Sequence, residues 1–493
     1  MGIEFSAQEE SSRTRSFGNK SRNRKRHNNS IINYRIPGEI RGRLRKYMSM
    51  RTFSMGGIHP PENKISAGKA IEQVPLPAQV AILLNQHSGA PAVPLVQRGD
   101  RVKTGQLIAE AAGYISANIH SSVTGKVLKL DEVYDASGYR CQAVIIEVEP
   151  ADEWAEEVVL NSTLKRDCIL SPEEIIQKIK EAGVVGMGGA SFPSHVKLSP
   201  PPGTKPEVLI VNAAECEPYL TSDHQLMLEK GMEIIVGTKI TMMALKVNRA
   251  VIAIENNKPD AIALLERLAI PYSQIDVMPL AVHYPQGGEK QLIEAVLGRH
   301  VPSGALPVVT GAIVLNVGSI FANYEAVQKN KPVIDRVVCV TGKSVKKPGN
   351  YLCRIGTSVQ DLIDFAGGMP DSTAKVISGG PMMGKALINT QVPVTKGTSG
   401  ILLMDGNEAH RNEVYNCIRC GDCIEACPMG LEPYLLMSLS ELSEWEAMEK
   451  ECIMNCIECG CCSYVCPSNR PLLDHLRVGK FKVGAIIRGR KNQ

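Results

Sequence analysis

The distribution of apolar and polar residues changes period several times along the chain, and each change marks a structural unit. From Gly56 to about Pro150, short apolar runs alternate with glycine-containing turns, as in PLVQRGDRVKTGQLIAEAAGYISANIHSSVTGKVLKL, which is the pattern of a small β domain. Between about Ser171 and Asn330 the runs PEVLIVNAAE, RAVIAIE, IDVMPLAV and AIVLNVG read as buried strands, followed by helical periodicity in segments such as KPDAIALLERL and GEKQLIEAVLG. Strands alternating with helices pack as a mostly parallel α/β sheet, whose ligands bind beyond the carboxyl ends of the strands. Within 331–405, VIDRVVCVTG, SVQDLIDFAGG and AKVISGGPMMG predict a small mixed α/β module; a cysteine-rich region follows, then a tail with six Lys/Arg and no acid after Asp474. The resulting units are 1–55 (basic extension), 56–150 (β domain), 151–330 (α/β domain), 331–408 (mixed module), 409–472 (cysteine domain) and 473–493 (basic tail).

Within the β domain, the GDRVKTGQ turn followed by HSSVTGKV resembles the barrel-sandwich hybrid fold of biotinyl and lipoyl carriers. Such carriers attach their cofactor to a hairpin lysine, yet no lysine lies between Lys103 and Lys126, so the domain is read as structural.

Composition narrows the function classes. No apolar run approaches the roughly 20 residues that span a bilayer, and the N-terminal region lacks an apolar signal-peptide stretch, so any membrane contact is expected to be peripheral. Aromatic residues make up 4% of the chain, which argues against a base-stacking nucleic-acid platform. The net charge of +4 is misleading, because residues Met1–Met55 hold 13 Lys/Arg against 4 Asp/Glu and leave 42 against 47 for the rest. That segment, with RNRKRHNNS and RGRLRKYMSM, lacks apolar periodicity and is read as a disordered, solvated leader with Met48, Met50 and Met55 as candidate starts, rather than as an arm for nucleic acid or an anionic membrane.

The 15 cysteines, without an export signal, point to a reducing compartment and to ligands rather than disulfides. Cys417, Cys420, Cys423 and Cys427 form C-x2-C-x2-C-x3-C-P, and Cys456, Cys459, Cys462 and Cys466 repeat it. Thiolates at this spacing grip three corners of a cubane, while the fourth serves the other cluster in two-cluster ferredoxins. The expectation is two [4Fe–4S] clusters, one on Cys417, Cys420, Cys423 and Cys466, the other on Cys456, Cys459, Cys462 and Cys427. Zinc is the rival, but it favours separated C-x2-C pairs, whereas each run packs four cysteines into eleven residues and ends in proline. Cys452 and Cys461 are spare and are read as packing thiols, as are Cys141, Cys168, Cys339 and Cys353.

Clusters pass single electrons and need a source. GVVGMGGASFPSHVK, Gly183–Lys197, is glycine-dense but does not follow a predicted strand, so it is not the dinucleotide fingerprint. Gly188, Gly189 and Ala190 would still let backbone approach a flat ring or a phosphate, with Lys197 as counter-charge. VNAAECEP puts Asn212, Glu215 and Glu217 at a strand end, and YPQGGEKQLIEAV puts Gly287, Gly288, Glu289 and Lys290 at a helix N-terminus suited to an anion. Glycine loop, acidic loop and helix start in one predicted domain are what a nucleotide site needs.

GGIHPPENK (Gly56–Lys64), GMGGASFPSHVK, VNAAECEPYLTSDH, YPQGGEKQL, LNVGSIFANYEAV and the two cysteine runs together resemble the RnfC family, a component of the Rnf complex, the ion-translocating ferredoxin:NAD oxidoreductase, over nearly all of Gly56–Leu473. The α/β region is similar to the flavoprotein component of respiratory complex I. The resemblance implies an FMN and nicotinamide site lined by Gly186, Gly188, Gly189, Lys197, Asn212, Glu215, Glu217, Gly288, Glu289, Asn316 and Ser319, and a β-grasp (SLBB) domain from Lys331. It implies hydride exchange between NAD(H) and FMN, single-electron passage through the clusters, and coupling by membrane and peripheral Rnf partners to Na+ or H+ movement, with ferredoxin an indirect partner and no nucleic acid. It implies peripheral attachment at the cytoplasmic face of the bacterial inner membrane. The chain departs from the complex I pattern at Cys216, between the two acids, and at Lys290, and its long basic extension lies outside the family pattern. The alternatives are a cobalamin reductase of similar architecture and a flavin-free electron relay.

Overall fold

The computed structural model describes residues 50–161 and 163–491, so most of the basic extension lies outside the described residues. The boundary drawn after residue 55 falls inside packed structure. Phe53 is 2% exposed and stacks on His283 with ring centroids 4.3 Å apart, and Arg51 accepts a backbone hydrogen bond from Ala281 at 3.0 Å. A single aromatic residue in a basic run carries no periodicity, which is why the sequence pattern does not announce it.

The β domain pairs β1 (Gln79–Leu83), β2 (Gly125–Tyr134) and β3 (Arg140–Val148) in antiparallel order, facing a second small sheet that contains Leu107–Glu110. Alternation does the work expected of it: Val80, Ile82, Val127, Val144 and Ile146 point into one core with Ile108 and Ile119. One segment of the span 56–150 pairs outside its sheets. Ile71–Gln73 leaves it to run parallel to Gly349–Arg354 as an edge strand of the downstream sheet.

The α/β domain is a four-stranded parallel sheet of β4 (Val208–Ala213), β5 (Ala250–Glu255), β6 (Ile275–Leu280) and β7 (Ala312–Asn316), in the order β6-β5-β4-β7. Continuous apolar runs such as VIAIE suit strands buried on both faces. Helices α1 (Pro172–Glu181), α2 (Ser222–Glu229), α3 (Gly231–Leu245), α4 (Pro259–Ala269), α5 (Glu289–Leu297) and α6 (Val317–Lys329) cover the sheet. A capping box between Ser171 and Glu174 starts α1. Helix α3 is buried along nearly its whole length, and a Cβ at Gly237 would come within 2.5 Å of Ile320 O, so glycine permits its close crossing with α6.

The mixed module is built on β8 (Asp335–Thr341), β9 (Gly349–Arg354), β10 (Thr373–Ser378) and β11 (Gly400–Asp405), with helix α7 (Val359–Phe365) contributing Val359, Leu362 and Ile363 to its core. The cysteine domain is helical and includes α8 (Pro433–Glu441) and α9 (Leu472–Lys491). The separate basic tail drawn at 473 does not exist as a unit. Leu472, Leu476 and Val483 of α9 pack against Leu436 and Met437 of α8, while Arg477 and Lys480 reach Glu458 at 3.4 and 3.1 Å. The apolar positions recur at helical spacing, but the basic residues between them dominate the composition.

Phe53→Ala should destabilise the fold by about 3 kcal/mol, the usual cost of emptying a buried aromatic site. Denaturant titration of the variant checks this, and a negligible loss would mean that the 50–55 segment is not anchored by Phe53.

Candidate functional site

Strand order reverses between β4 and β7: α3, α4 and α6 pack on one face of the sheet and α5, which leads into β7, on the other, and the crevice at the carboxyl edge of such a reversal is where α/β sheets bind ligands. Asn212 and Asn316 are paired in register at that edge. Asn316 caps α6 by accepting from Gly318 N at 2.8 Å and donates its amide to Asp223 Oδ2 at 2.7 Å. Asn212 accepts from Ala214 N and donates to Gly287 O at 2.8 Å, which ties the strand end to the turn that starts α5.

The glycine loop folds over this point. Gly186 N donates to Phe192 O at 2.8 Å, closing the loop on itself. Met187 N donates to Ser319 Oγ, which in turn donates to Val185 O, both at 3.0 Å. A Cβ on Gly188 would lie 2.7 Å from Asn316 Nδ2, so only glycine fits, whereas Gly189 faces open space with nothing within 4 Å. At the start of α5, capped by Gly288, Glu289 receives an ion pair from Lys197 at 2.7 Å, and Lys197 also donates to Val314 O. Lys290 is partly exposed at the same helix start and has no hydrogen-bond or ion-pair partner among the described residues.

The structure thus places Gly186, Gly188, Gly189, Lys197, Asn212, Gly287, Gly288, Glu289, Lys290 and Asn316 on the glycine loop, the ends of β4 and β7 and the start of α5, which are tied together at the carboxyl edge of the sheet. Three expected residues are placed otherwise. Ser319 is fully buried and serves the loop from beneath. The Glu215 carboxylate caps α2, accepting from Asp223 N at 3.0 Å, His224 N at 3.2 Å and Ser222 Oγ at 3.1 Å. The Glu217 carboxylate accepts from Met382 N at 3.1 Å and Met383 N at 2.7 Å, holding the GGPMMG turn of the mixed module; burial pushes its pKa up to about 7. Both carboxylates are satisfied by donors that come from distant sequence or the next helix.

Other residues carry weight that the sequence pattern did not single out. Lys64 threads its ammonium into the acidic loop, donating to Glu215 O and Glu217 O at 2.8 Å and to Leu220 O at 2.7 Å. Asp223 shares the crevice floor with Asn316; burial, and then the neighbouring Glu215, push its carboxyl up to about 6. No spacing rule distinguishes Asp223 from the other acids of its loop.

The cysteine runs are crossed in space. The Cys423 thiol has Cys466, Cys420 and Cys417 as neighbours, while Cys456 and Cys462 have Cys459 and Cys427. The two quartets differ in setting: Cys417 and Cys420 are exposed, whereas Cys427, Cys456, Cys459 and Cys462 are buried. Backbone N–H groups of Leu431 and Glu458 point at Cys427 Sγ and Cys456 Sγ, each at 3.4 Å. All 15 cysteines are free of disulfides, and Cys461 is fully buried beside Cys459. Among the described residues no group of three or more His, Cys, Asp or Glu side chains is arranged to hold a single metal ion. The buried quartet lies against the α/β domain: Cys459 and Cys461 pack with Tyr284 and Cys216, and Gly287 N donates to Cys216 Sγ at 3.3 Å.

The raised pKa of Asp223 has a thermodynamic sign. A carboxyl lifted from 3.8 to about 6 adds stability while protonated, fully present below 3.8 and lost as pH rises through 6. Asp223→Asn keeps an acceptor for Asn316 and never ionises, so its melting temperature should gain on the wild type between pH 4 and pH 7. Paired thermal melts at the two pH values test this, and a gap that shrinks with pH would count against it.

Comparison with known proteins follows the same domain order. Residues 52–151 match the family described as the RnfC barrel sandwich hybrid domain, residues 179–325 the Nuo51 FMN-binding domain and residues 337–386 the SLBB domain. The chain is 46% identical to the C subunit of the proton-translocating ferredoxin:NAD(+) oxidoreductase complex of Clostridium ljungdahlii, over 80% of this chain and 86% of that one. It is 42% identical to the C subunit of the Na(+)-translocating ferredoxin:NAD(+) oxidoreductase complex of Acetobacterium woodii, over 87% and 96%. Against the C subunit of the ion-translocating oxidoreductase complex of Rhodobacter capsulatus the identity is 41%, over 88% and 84%. With the expected domains in the expected order and this identity sustained over most of both chains, the chain belongs to the RnfC family, the C subunits of ion-translocating oxidoreductase complexes.

Proposed function

We propose that the crevice between β4 and β7 binds FMN and receives hydride from NAD(H), and that two [4Fe–4S] clusters carry the electrons away singly. The observation that carries this reading is the placement of one cysteine quartet in the interior, against the crevice domain, and of the other toward the surface. Centres in that order lead from a two-electron site to an exit.

The residues present fit the groups. An open glycine face at Gly189 accommodates a flat ring, while the start of α5 with its unpaired Lys290 suits a phosphate. A flavin supplies the exchange between a hydride, which brings two electrons and a proton, and single electrons. The work of the chain is positional. Asn212 and Asn316 present amides at the strand ends, Lys197 is held in place by Glu289, and Ser319 fixes the loop from below. At the buried quartet, the N–H groups of Leu431 and Glu458 would stabilise thiolate charge.

Among the described residues no helix is long and apolar enough to cross a membrane. Attachment at the cytoplasmic face is therefore read as peripheral, through other Rnf subunits that couple electron flow to Na+ or H+ movement and connect it to ferredoxin.

The purified, reconstituted chain should release one FMN on acid treatment and hold about eight iron atoms, four per cubane. Flavin fluorescence and iron assay check both; a flavin-free chain would favour a bare electron relay, and zinc in place of iron would reverse the metal assignment.

Crossed ligation makes a sharper demand. Cys427→Ser and Cys459→Ala should alter the same cluster, and Cys466→Ser and Cys420→Ala the other. EPR of the reduced variants reads the pairing, and a shared signature for Cys427→Ser with Cys420→Ala would mean that each run closes its own cluster.

A further inference from the structure

The motif Gly56–Lys64 touches both the acidic loop and the buried quartet, yet neither site needs it as a ligand. Its first residue lies against the cluster loop: a Cβ on Gly56 would sit 2.5 Å from the carbonyl carbon of Cys427 and 2.7 Å from Pro428 N, and its φ is +65°. Gly57 N donates to Ala426 O at 3.0 Å. Ile58 then exchanges a pair of backbone hydrogen bonds with Tyr284, both at 2.9 Å. Six residues on, Lys64 gathers three carbonyls of the acidic loop. One short segment therefore grips the cluster loop at one end and the crevice domain at the other.

Tyr284 completes the link from the opposite side. Its hydroxyl donates to Cys459 O at 2.9 Å, and three residues later Gly287 receives the Asn212 amide. Gln291 of α5 donates to Pro428 O at 3.0 Å. Both cysteine runs contributing to the buried quartet, through Cys459 and through the Cys427–Pro428 corner, are thus tied to the turn that forms the crevice wall.

We propose that Gly56–Lys64, with Tyr284, is a positioning element that sets the gap between the flavin crevice and the buried cluster. This rests on the cofactor reading above. The step it governs moves one electron at a time: the reduced flavin is oxidised, the cubane is reduced, and the protons of the flavin leave to water. A rigid gap matters because positional error at a reacting pair lowers the rate, and a backbone-to-backbone ladder holds position better than side chains alone.

Two substitutions in the full-length chain, loaded with FMN and reconstituted clusters, test this. Tyr284→Phe removes a hydroxyl without adding volume; Gly56→Ala adds a methyl where there is no room and where φ is unfavourable. Flavin per chain, iron per chain, EPR of the reduced protein and two stopped-flow phases, flavin reduction by NADH and cluster reduction by flavin, are read for each. Flavin content and the first phase should match the wild type in both variants. The second phase should slow severalfold in Tyr284→Phe and further in Gly56→Ala, with the EPR signal of the buried cluster altered and that of the exposed cluster kept. Wild-type second-phase rates and EPR signals in both variants overturn the positioning role. So does simultaneous loss of flavin and both clusters in Gly56→Ala with Tyr284→Phe at the wild-type rate. A wild-type chain that holds neither flavin nor iron overturns the cofactor reading itself.

Discussion

The reversal of strand order between β4 and β7 is the constraint on which the rest of the molecule depends. Helices α3, α4 and α6 share one face of the sheet and α5 takes the other, and α/β sheets bind ligands beyond the carboxyl edge where the order turns back. Asn212 and Asn316 are paired at that edge, and each commits its side chain to keeping the edge open: one holds the α5 turn, the other caps α6 and binds Asp223. The glycine loop then needs no strand of its own, because Ser319 and Asn316 define where it lies.

The flanking domains act as clamps on the same loop. Ser88 of the β domain donates through its backbone to Ser191 O at 3.2 Å and through its hydroxyl to Ala190 O at 2.6 Å. From the mixed module, Lys396 is 1% exposed and donates to Asn118 O at 2.6 Å and to Gly183 O at 2.7 Å, joining three domains at the root of the loop. Burial pulls the Lys396 pKa down to about 7, against carbonyl acceptors that favour the ammonium. The β domain thus contributes Ser88 and Asn118 to the packing of the glycine loop and its root.

Buried charge is distributed in a related way. Glu217 lies in the acidic loop and the Lys64 ammonium reaches into it, but neither is left unpaired: the carboxylate meets two backbone donors and the ammonium three backbone acceptors. Breaking one partner of such a set costs more than the set contributes, since it strands a charge away from water. The loop is therefore fixed in shape, and its fixed shape is what brings Cys216 from Gly287 at the crevice to Cys459 at the quartet.

The sequence alone determined everything that rests on local spacing. The two C-x2-C-x2-C-x3-C-P runs, the alternating strands and helices of 151–330 and the small residues of the glycine loop are short-range patterns, and backbone geometry converts them directly into structure. It did not reveal that Ile71–Gln73 joins a distant sheet, that Phe53 is an anchor, that Leu472–Lys491 is a core helix rather than a tail, or that Asp223 lies beside Asn316. Nor could it show that Glu215 and Glu217 serve as caps, because the donors they satisfy are fixed by where α2 and the GGPMMG turn arrive in space. Spacing in sequence encodes which atoms can meet within a turn or a strand; which carboxylate meets which amide across domains is decided only by the packed chain.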